Sequence, residues 1–371
     1  MKCKRLAVLT PVAGIGGVQK VVTNLVNGLS DKGWQVDVLC TDGKDGLPGL
    51  NPNVNLLDLG INKSHGDLKV IIGFWAIRRQ IRSVGYSALI TAPGFSGQIG
   101  ILACRGTATK VVVMADNKIS LLKELDVMHR IQFILAKKLY PKANAIVAAH
   151  ESALRDLKEV LPKSDTILKR IYHPLIPDDV CDLMQLDPEI SLPTDAPIVV
   201  AAGRLVEEKD FDTLLDAFGI VRSEISARLV VLGDGPLKES LLDHVNRLNL
   251  ENDVLFAGRV NNVYSIFARA SVFVLSSKRE AFGNVLIEAL ACGLPCVATR
   301  CASGGPQEIL EDGNCGPLVE IGDIRALSRV ILELLNQTYV DHDALAMRGG
   351  MFSCSTSVEN YSSLLERLTR D

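Results

Sequence analysis

The chain lacks any run of about 20 apolar residues free of charges or repeated polar breaks, so no helix is expected to span a bilayer. Its basic, apolar start, MKCKRLAVLTPVAGIGG, raises the question of a secretory signal. The apolar run is short, however, and ends at Gly14-Ile15-Gly16-Gly17, the form of a strand feeding a glycine turn. Paired Cys-x-x-Cys spacings are also missing. The nine cysteines are odd in number and scattered, which favours free thiols in a reducing compartment. Cys292, Cys296 and Cys301 cluster without the histidines of a zinc site and are read as small apolar packing. The spaced Gly-x-Gly-x-x-Gly fingerprint is absent, and Cys40 and Thr41 stand where an acidic ribose ligand would be needed ahead of Asp42, so a dehydrogenase is excluded. No two carboxylates show acid and base spacing, which argues against a hydrolase-like double displacement.

What is present is ample material for two cored domains: 371 residues, 47% hydrophobic and only 22% charged. The net charge of −3 hides an asymmetry. Residues 1–175 carry 24 Lys and Arg against 13 Asp and Glu, or +11, and residues 176–371 carry 16 against 30, or −14. The split suggests that the first half meets something anionic, such as a membrane surface, a phosphate-bearing lipid or nucleic acid; a chance imbalance on solvated faces is the alternative.

Short apolar runs alternate with longer helical patterns, the signature of parallel βαβ units. In the first half strands are expected at Arg5–Leu9, Gln35–Cys40, Ala88–Thr91, Lys110–Met114 and Ala145–Ala148. Helices are expected at Val18–Lys32, Val70–Ser83, Leu121–Tyr140 and Ser152–Val160. Between Ile171 and Pro197 come Pro174, Pro177, Pro188, Pro193 and Pro197 with several acids, a linker through which neither helix nor strand is expected to run far. The pattern restarts with strands near Ile198–Ala202, Arg228–Leu232, Val254–Ala257, Val272–Leu275 and Pro295–Thr299. The reading is α/β, with two Rossmann-like, doubly wound domains, 1–175 and 176–355, facing an interdomain cleft, and a closing amphipathic helix within 356–371 that returns to the first domain.

Chemistry is sought in the strand-to-helix loops. The first, Thr10–Gln19, holds Gly14, Gly16 and Gly17 before a helix, where backbone N–H groups approach a diphosphate at the positive end of the dipole; a merely tight turn explains it equally well. In the second, Arg204 and Lys209 follow the strand Ile198–Ala202, two cations suited to a diphosphate whose charge rises as its partner leaves. The alternative is that both pair with Glu207 and Glu208 on a solvated loop. In the third, Glu280 lies in a loop and Glu288 further into the helix, so the two flank a helix start. Gly283, Asn284 and Val285 there offer N–H groups to a phosphate, and the carboxylates accept hydrogen bonds from hydroxyls. Glu280 would equally stabilise the helix dipole.

Glu280-x7-Glu288 within EAFGNVLIEALACGLP, Arg204 and Lys209 in GRLVEEKD, GDGP at 233–236 and the pair Gly16-Gly17 together closely resemble the retaining glycosyltransferases of the GT-B fold, family 4 (glycosyl transferases group 1). The resemblance covers nearly the whole chain. It implies that Glu288 holds the ribose hydroxyls, that Arg204 and Lys209 grip the diphosphate, that Glu280 lies beside the transferred sugar, and that Gly16 and Gly17 close on the diphosphate from the first domain. The base would rest near Arg259 and Val260. Family members often place a histidine on a first-domain loop near the sugar; this chain has Asp116 and Asn117 after Lys110–Met114, and Asp116 joins Glu280, Arg204 and Lys209 as a catalytic candidate. The segment Ser303-Gly-Gly-Pro-Gln-Glu308 is similar to that of members building bacterial surface polysaccharides and lipid-linked glycans.

The implied function is transfer of a hexose or N-acetylhexosamine, with a UDP-linked donor expected, to a lipid-linked or polysaccharide acceptor, with retention, without a metal and without any cofactor beyond the donor. Nucleic acid is not an expected partner. The chain is expected in the cytoplasm, peripheral at the inner face of the cell membrane. Two basic amphipathic stretches suit that place, each net +4. Residues 62–82 carry Lys63, Lys69, Arg78, Arg79 and Arg82, and residues 118–142 carry Lys118, Lys123, Arg130, Lys137, Lys138 and Lys142; ordinary helices with core faces would look the same. A nucleotide-sugar epimerase on the same body and a non-catalytic nucleotide-sugar binder are the competing readings.

Overall fold

Strands such as Leu6-Ala-Val-Leu9 and Val111-Val-Val113 are apolar at consecutive positions, as strands covered by helices on both faces must be. In the computed structural model, which describes residues 4–10, 17–40, 47–59, 69–162 and 164–370 (backbone alone at 69–72), these residues are buried at every position. The chain divides into two compact units. The first comprises residues 1–175 with 354–371, and the second Ile176–Ser353.

The first unit runs β1 (Arg5–Thr10), α1 (Gly17–Asp31), β2 (Gln35–Cys40), β3 (Asn55–Asp58), α2 (Lys69–Val84), β4 (Ala88–Thr91), α3 (Ser96–Cys104), β5 (Lys110–Ala115), α4 (Val127–Leu139), β6 (Ala145–Ala148), α5 (Glu151–Val160) and β7 (Ile167–Arg170). All seven strands are parallel, in the order β3-β2-β1-β4-β5-β6-β7. β3 and β7 were not expected from the sequence. They are the edges, four residues each and only partly buried, so their apolar signal is weak. α3 was missed for the opposite reason: Ser96-Gly-Gln-Ile-Gly-Ile-Leu-Ala-Cys104 is buried nearly all round and has no apolar period. Its small residues permit a close approach, since a Cβ on Gly100 would lie 2.5 Å from Thr91 Cγ2.

The single helix expected at Leu121–Tyr140 is two pieces. A 3₁₀ segment, Ile119–Glu124, ends before Asp126, whose side chain accepts from His129 N at 3.0 Å and starts α4 afresh. In α2, Arg78 is not a free surface cation. Its guanidinium donates to the carbonyls of Leu102, Ala103 and Arg105 at 3.3, 2.9 and 3.0 Å, closing the C-terminal end of α3. The closing helix, Cys354–Thr369, packs on α1 through buried Val358, Tyr361, Leu364 and Leu365. Gly28 makes room for it, and the ion pairs Lys4–Glu366 and Lys32–Glu359 flank the contact.

The second unit runs α6 (Val180–Gln185), β8 (Ile198–Ala202), α7 (Phe211–Glu224), β9 (Arg228–Leu232), α8 (Lys238–Arg247), β10 (Val254–Gly258), α9 (Tyr264–Phe267), β11 (Val272–Leu275), α10 (Asn284–Ala291), β12 (Cys296–Thr299), α11 (Gly305–Ile309), β13 (Leu318–Val319), α12 (Ile324–Leu335) and α13 (His342–Gly350). Its six parallel strands lie in the order β10-β9-β8-β11-β12-β13. The proline-rich linker does form an element, α6, which packs against α9 as Asn262 and Arg269 side chains donate to the carbonyls of Leu183, Met184 and Leu186. Where the chain enters and leaves this unit the two passages are tied, Ile176 N donating to Phe352 O at 3.2 Å. Among the described residues no helix is long and apolar enough to cross a membrane.

Candidate functional site

In a doubly wound sheet the strand order reverses at one point, and the loops leaving the carboxyl ends of the strands there part to form a crevice. In the second unit that point lies between β8 and β11, and the two loops that follow them carry Arg204, Lys209 and Glu280.

Two glycines bring the loop after β9 against the loop after β8. A Cβ on Gly233, at φ +127°, would stand 1.9 Å from Gly203 O, and one on Gly235 would stand 2.5 Å from Leu205 O. With that room, Leu205 N donates to Asp234 O and Leu237 N to Leu205 O, both at 3.1 Å. Arg204, between the fixed residues 203 and 205, is exposed and has no carboxylate partner among the described residues.

Lys209 ends a 3₁₀ turn, Glu207–Lys209, and pairs neither with Glu207 nor with Glu208. Its ammonium donates to the Glu280 carboxylate, which also accepts from Ser277 Oγ at 3.1 Å. Around this pair the loops after β8 and β11 are laced together. Ser276 Oγ donates to Lys209 O at 3.0 Å, Lys278 N donates to Glu208 O at 2.8 Å, and Lys278 Nζ lies 3.0 Å from the buried Asp210 carboxylate. The hydrogen bond that the Lys278 ammonium donates to Asp210 raises its pKa above the usual lysine range. Lys209 and Glu280 largely cancel, and the positive charge left without a carboxylate partner on these two loops, among the described residues, is that of the exposed Arg204 and Arg279.

Glu280 does not cap α10. Gly283 does, at φ 115°, with no side chain bonded across the helix start, and Asn284 and Val285 follow it half-buried. Glu288, in the second turn, is only 7% exposed. Burial and the Glu288 charge together push the neighbouring Cys292 thiol up to about 12. Cys296 and Cys301 are free and buried, and Cys301 Sγ donates to Ser277 O at 3.3 Å under the same loop. Arg259 is exposed and Val260 half-buried after β10. Their loop is held from two sides: Gly258 O accepts from Gly233 N at 2.7 Å, and the Glu189 carboxylate of the linker accepts from Asn261 N and Asn262 N at 3.2 Å.

In the first unit, Gly16 lies outside the described residues and Gly17 opens α1, exposed. Asp116, just past β5, lies 3.0 Å from His173 Nε2, with both side chains nearly buried. His150, just past β6, joins them. Its Nδ1 accepts from Ala153 N at 3.2 Å, starting α5, and the Asp116 backbone and the His173 ring both act on its proton affinity. Desolvation drives the His150 pKa down to about 4 against the opposing Asp116 hydrogen bond, so the ring is neutral at pH 7. The phenols of Tyr140 and Tyr361 are raised by burial and by the Asp116 charge. The ends of three successive strands thus meet at one acid and two histidines. Sequence reasoning found the acid and missed both histidines. The usable signal was position, since each falls within three residues of the end of a β-strand, but β7 itself was not foreseen.

Sequence profiles of two families match the chain: "Glycosyltransferase Family 4" over residues 15–175 and "Glycosyl transferases group 1" over 185–346. An N-acetyl-alpha-D-glucosaminyl L-malate synthase of Bacillus anthracis is 30% identical over 52% of this chain and 51% of that protein, so the chain spans about half the length of that relative. A Campylobacter jejuni N-acetylgalactosamine-N,N'-diacetylbacillosaminyl-diphospho-undecaprenol 4-alpha-N-acetylgalactosaminyltransferase is 27% identical over 90% of both chains. Among solved structures, sucrose-phosphate synthase from Thermosynechococcus elongatus superposes with a TM-score of 0.81 at 20% identity, covering 99% of each chain, a likeness of fold.

Proposed function

Since the chain belongs to the GT-B glycosyltransferases of the family 4 type, we propose that it transfers a hexose or N-acetylhexosamine from a UDP-sugar to a lipid-linked or polysaccharide acceptor of a surface glycan. The carrying observation is the loop pair at the β8/β11 switch point, where the loop of Arg204, exposed and without a carboxylate partner among the described residues, also carries Lys209, itself neutralised by Glu280. The donor's diphosphate is assigned to Arg204, Lys209 and the start of α10, and its ribose to Glu288. The bond from the anomeric carbon to the phosphate oxygen breaks as the acceptor oxygen bonds to the same face. The departing phosphate takes the acceptor's proton, which gives retention without a protein nucleophile. Fixed positive charge at the leaving phosphate does what a metal would otherwise do. A lipid-linked acceptor is supported by the undecaprenol-linked substrate named for the Campylobacter relative and by the basic first unit, which is proposed to meet an anionic membrane surface.

A thermal-shift screen over UDP-, GDP- and ADP-sugars tests this, because a ligand of the folded state raises its melting point by mass action. One nucleotide class should stabilise the parent, and Glu288→Ala should weaken that response by about tenfold or more in donor affinity. Transfer should need both donor and acceptor and should persist in a chelator. Turnover of donor by itself would instead indicate an epimerase, and binding without transfer a non-catalytic binder.

A further inference from the structure

Helix α4, Val127–Leu139, contains no acidic residue, and five of its apolar side chains lie on the outside. Val127 is 69% exposed, Met128 59%, Ile131 42%, Ile134 52% and Leu135 36%. At 100° per residue these five fall on one arc, with Lys138 inside it and Arg130 and Lys137 along its flank. The adjoining arc, Leu139, Gln132 and Ala136, is the one buried against the unit. A surface helix is normally built the other way round, its apolar stripe inward and its charges outward.

The elements beside α4 share its charge. α3 contacts both α2 and α4. From residue 68 to residue 115 the chain has no Asp or Glu and carries Lys69, Arg78, Arg79, Arg82, Arg105 and Lys110; from 127 to 150 it again has none and carries Arg130, Lys137, Lys138 and Lys142. Glu124 and Asp126 precede α4 in the sequence, the latter turned back on His129. Leu102 of α3 is 40% exposed and Trp75 of α2 61%. An exposed aliphatic ridge on an acid-free, cationic three-helix surface is complementary to one kind of partner, an interface that is apolar below and negative above.

We propose that α4 is the element by which this chain seats itself on an anionic lipid bilayer. The five aliphatic side chains enter the boundary between headgroups and acyl chains, and Arg130, Lys137 and Lys138 lie among the lipid phosphates. This deepens the proposed lipid-linked function and rests on it for its purpose. Of the two basic stretches seen in the sequence it selects the second, since one arginine of the first is occupied by the carbonyls of α3.

The test uses the full chain, sedimented with vesicles of phosphatidylcholine alone and of phosphatidylcholine doped with phosphatidylglycerol. The parent should bind the doped vesicles at least about tenfold better, and less well as salt rises through about 0.1 M. Ile131→Ser with Ile134→Ser should lose about tenfold or more of that binding while melting no lower than the parent, because exposed side chains are removed. Lys137→Glu with Lys138→Glu should abolish the preference for the doped vesicles. Met347→Ser, at a still more exposed apolar site in the second unit, should bind as the parent does. Undiminished binding by the isoleucine variant overturns the proposal. So does a parent that is dimeric in solution and becomes monomeric in that variant, since the ridge would then be covered by a second copy. Donor-induced thermal shifts on the same preparations separate the two readings: a lost donor response with intact vesicle binding removes the glycosyltransferase reading alone.

Discussion

Arg204 and Lys209 stand five residues apart on one loop, yet the structure gives them different burdens. Arg204 is exposed and unpaired among the described residues, so Arg204→Ala should leave the melting point within about 1 °C of the parent. Transfer should fall roughly 10²-fold or more, as when one fixed group facing a developing negative charge is removed. Lys209→Ala should also destabilise the second unit by about 1–3 kcal/mol, because it leaves the Glu280 carboxylate, with 10% of its side chain exposed, supported by Ser277. Parallel melting and rate measurements on the two variants check the contrast. If Arg204→Ala transferred sugar normally, the assignment of the leaving phosphate to that loop would be wrong.

His150 supplies a pH dependence at the same scale. Its folded pKa of about 4 lies below the ordinary value of 6.5, so the unfolded chain binds the extra proton between these values. The stabilisation is therefore complete above pH 6.5 and is lost as the pH falls towards 4. Between pH 7 and pH 5 this one group should cost the first unit about 2 kcal/mol. His150→Asn keeps an N-cap acceptor for α5 and removes the titration. Denaturant unfolding at the two pH values should show a smaller difference in that variant.

At the scale of elements, helix ends and loop pairs matter more than helix interiors. Arg78 sits in α2, but its work is at the end of α3, where three carbonyls accept from its guanidinium. Arg78→Ala should cost about 1–3 kcal/mol, whereas Arg79→Ala, on the exposed side of the same helix, should stay within about 0.5 kcal/mol. Calorimetry on the two variants decides it, and equal effects would mean that the end of α3 is satisfied without Arg78. The glycines of Gly233-Asp-Gly-Pro236 act in a similar way, opening space for a neighbouring loop's backbone so that Arg204 is held from both sides.

At the scale of the whole molecule, the first unit is discontinuous in sequence: residues 354–371 complete it after the second unit has intervened. The closing helix buries Val358, Tyr361, Leu364 and Leu365, each worth roughly 1.5–3 kcal/mol. A chain ended at Ser353 should lose on the order of 5 kcal/mol or more from the first unit alone, with the second unit's donor response retained. Limited proteolysis should then cut within residues 17–175 first, and undiminished protection there would show that the helix is an accessory.

The sequence by itself determined the α/β class, ten of the thirteen described strands of the two parallel sheets, and the loops in which cations and carboxylates gather. It could do so because buried parallel strands announce themselves by uninterrupted apolar runs and strand-to-helix loops by glycine and charge. Tertiary structure alone decided the rest. Edge strands β3, β7 and β13 are made by a neighbour rather than by their own residues, and α3 is surrounded too evenly to show a period. That Lys209 pairs with Glu280, 71 positions away, and not with the adjacent glutamates, depends on which strands adjoin at the switch point. His150 and His173 reach Asp116 by the same route, through the pairing of β5, β6 and β7. The apolar face of α4 was visible as a pattern, but a pattern does not say whether a stripe points in or out. Only packing, which buries Gln132 and Ala136 and leaves Ile131 and Ile134 outside, gives that sign.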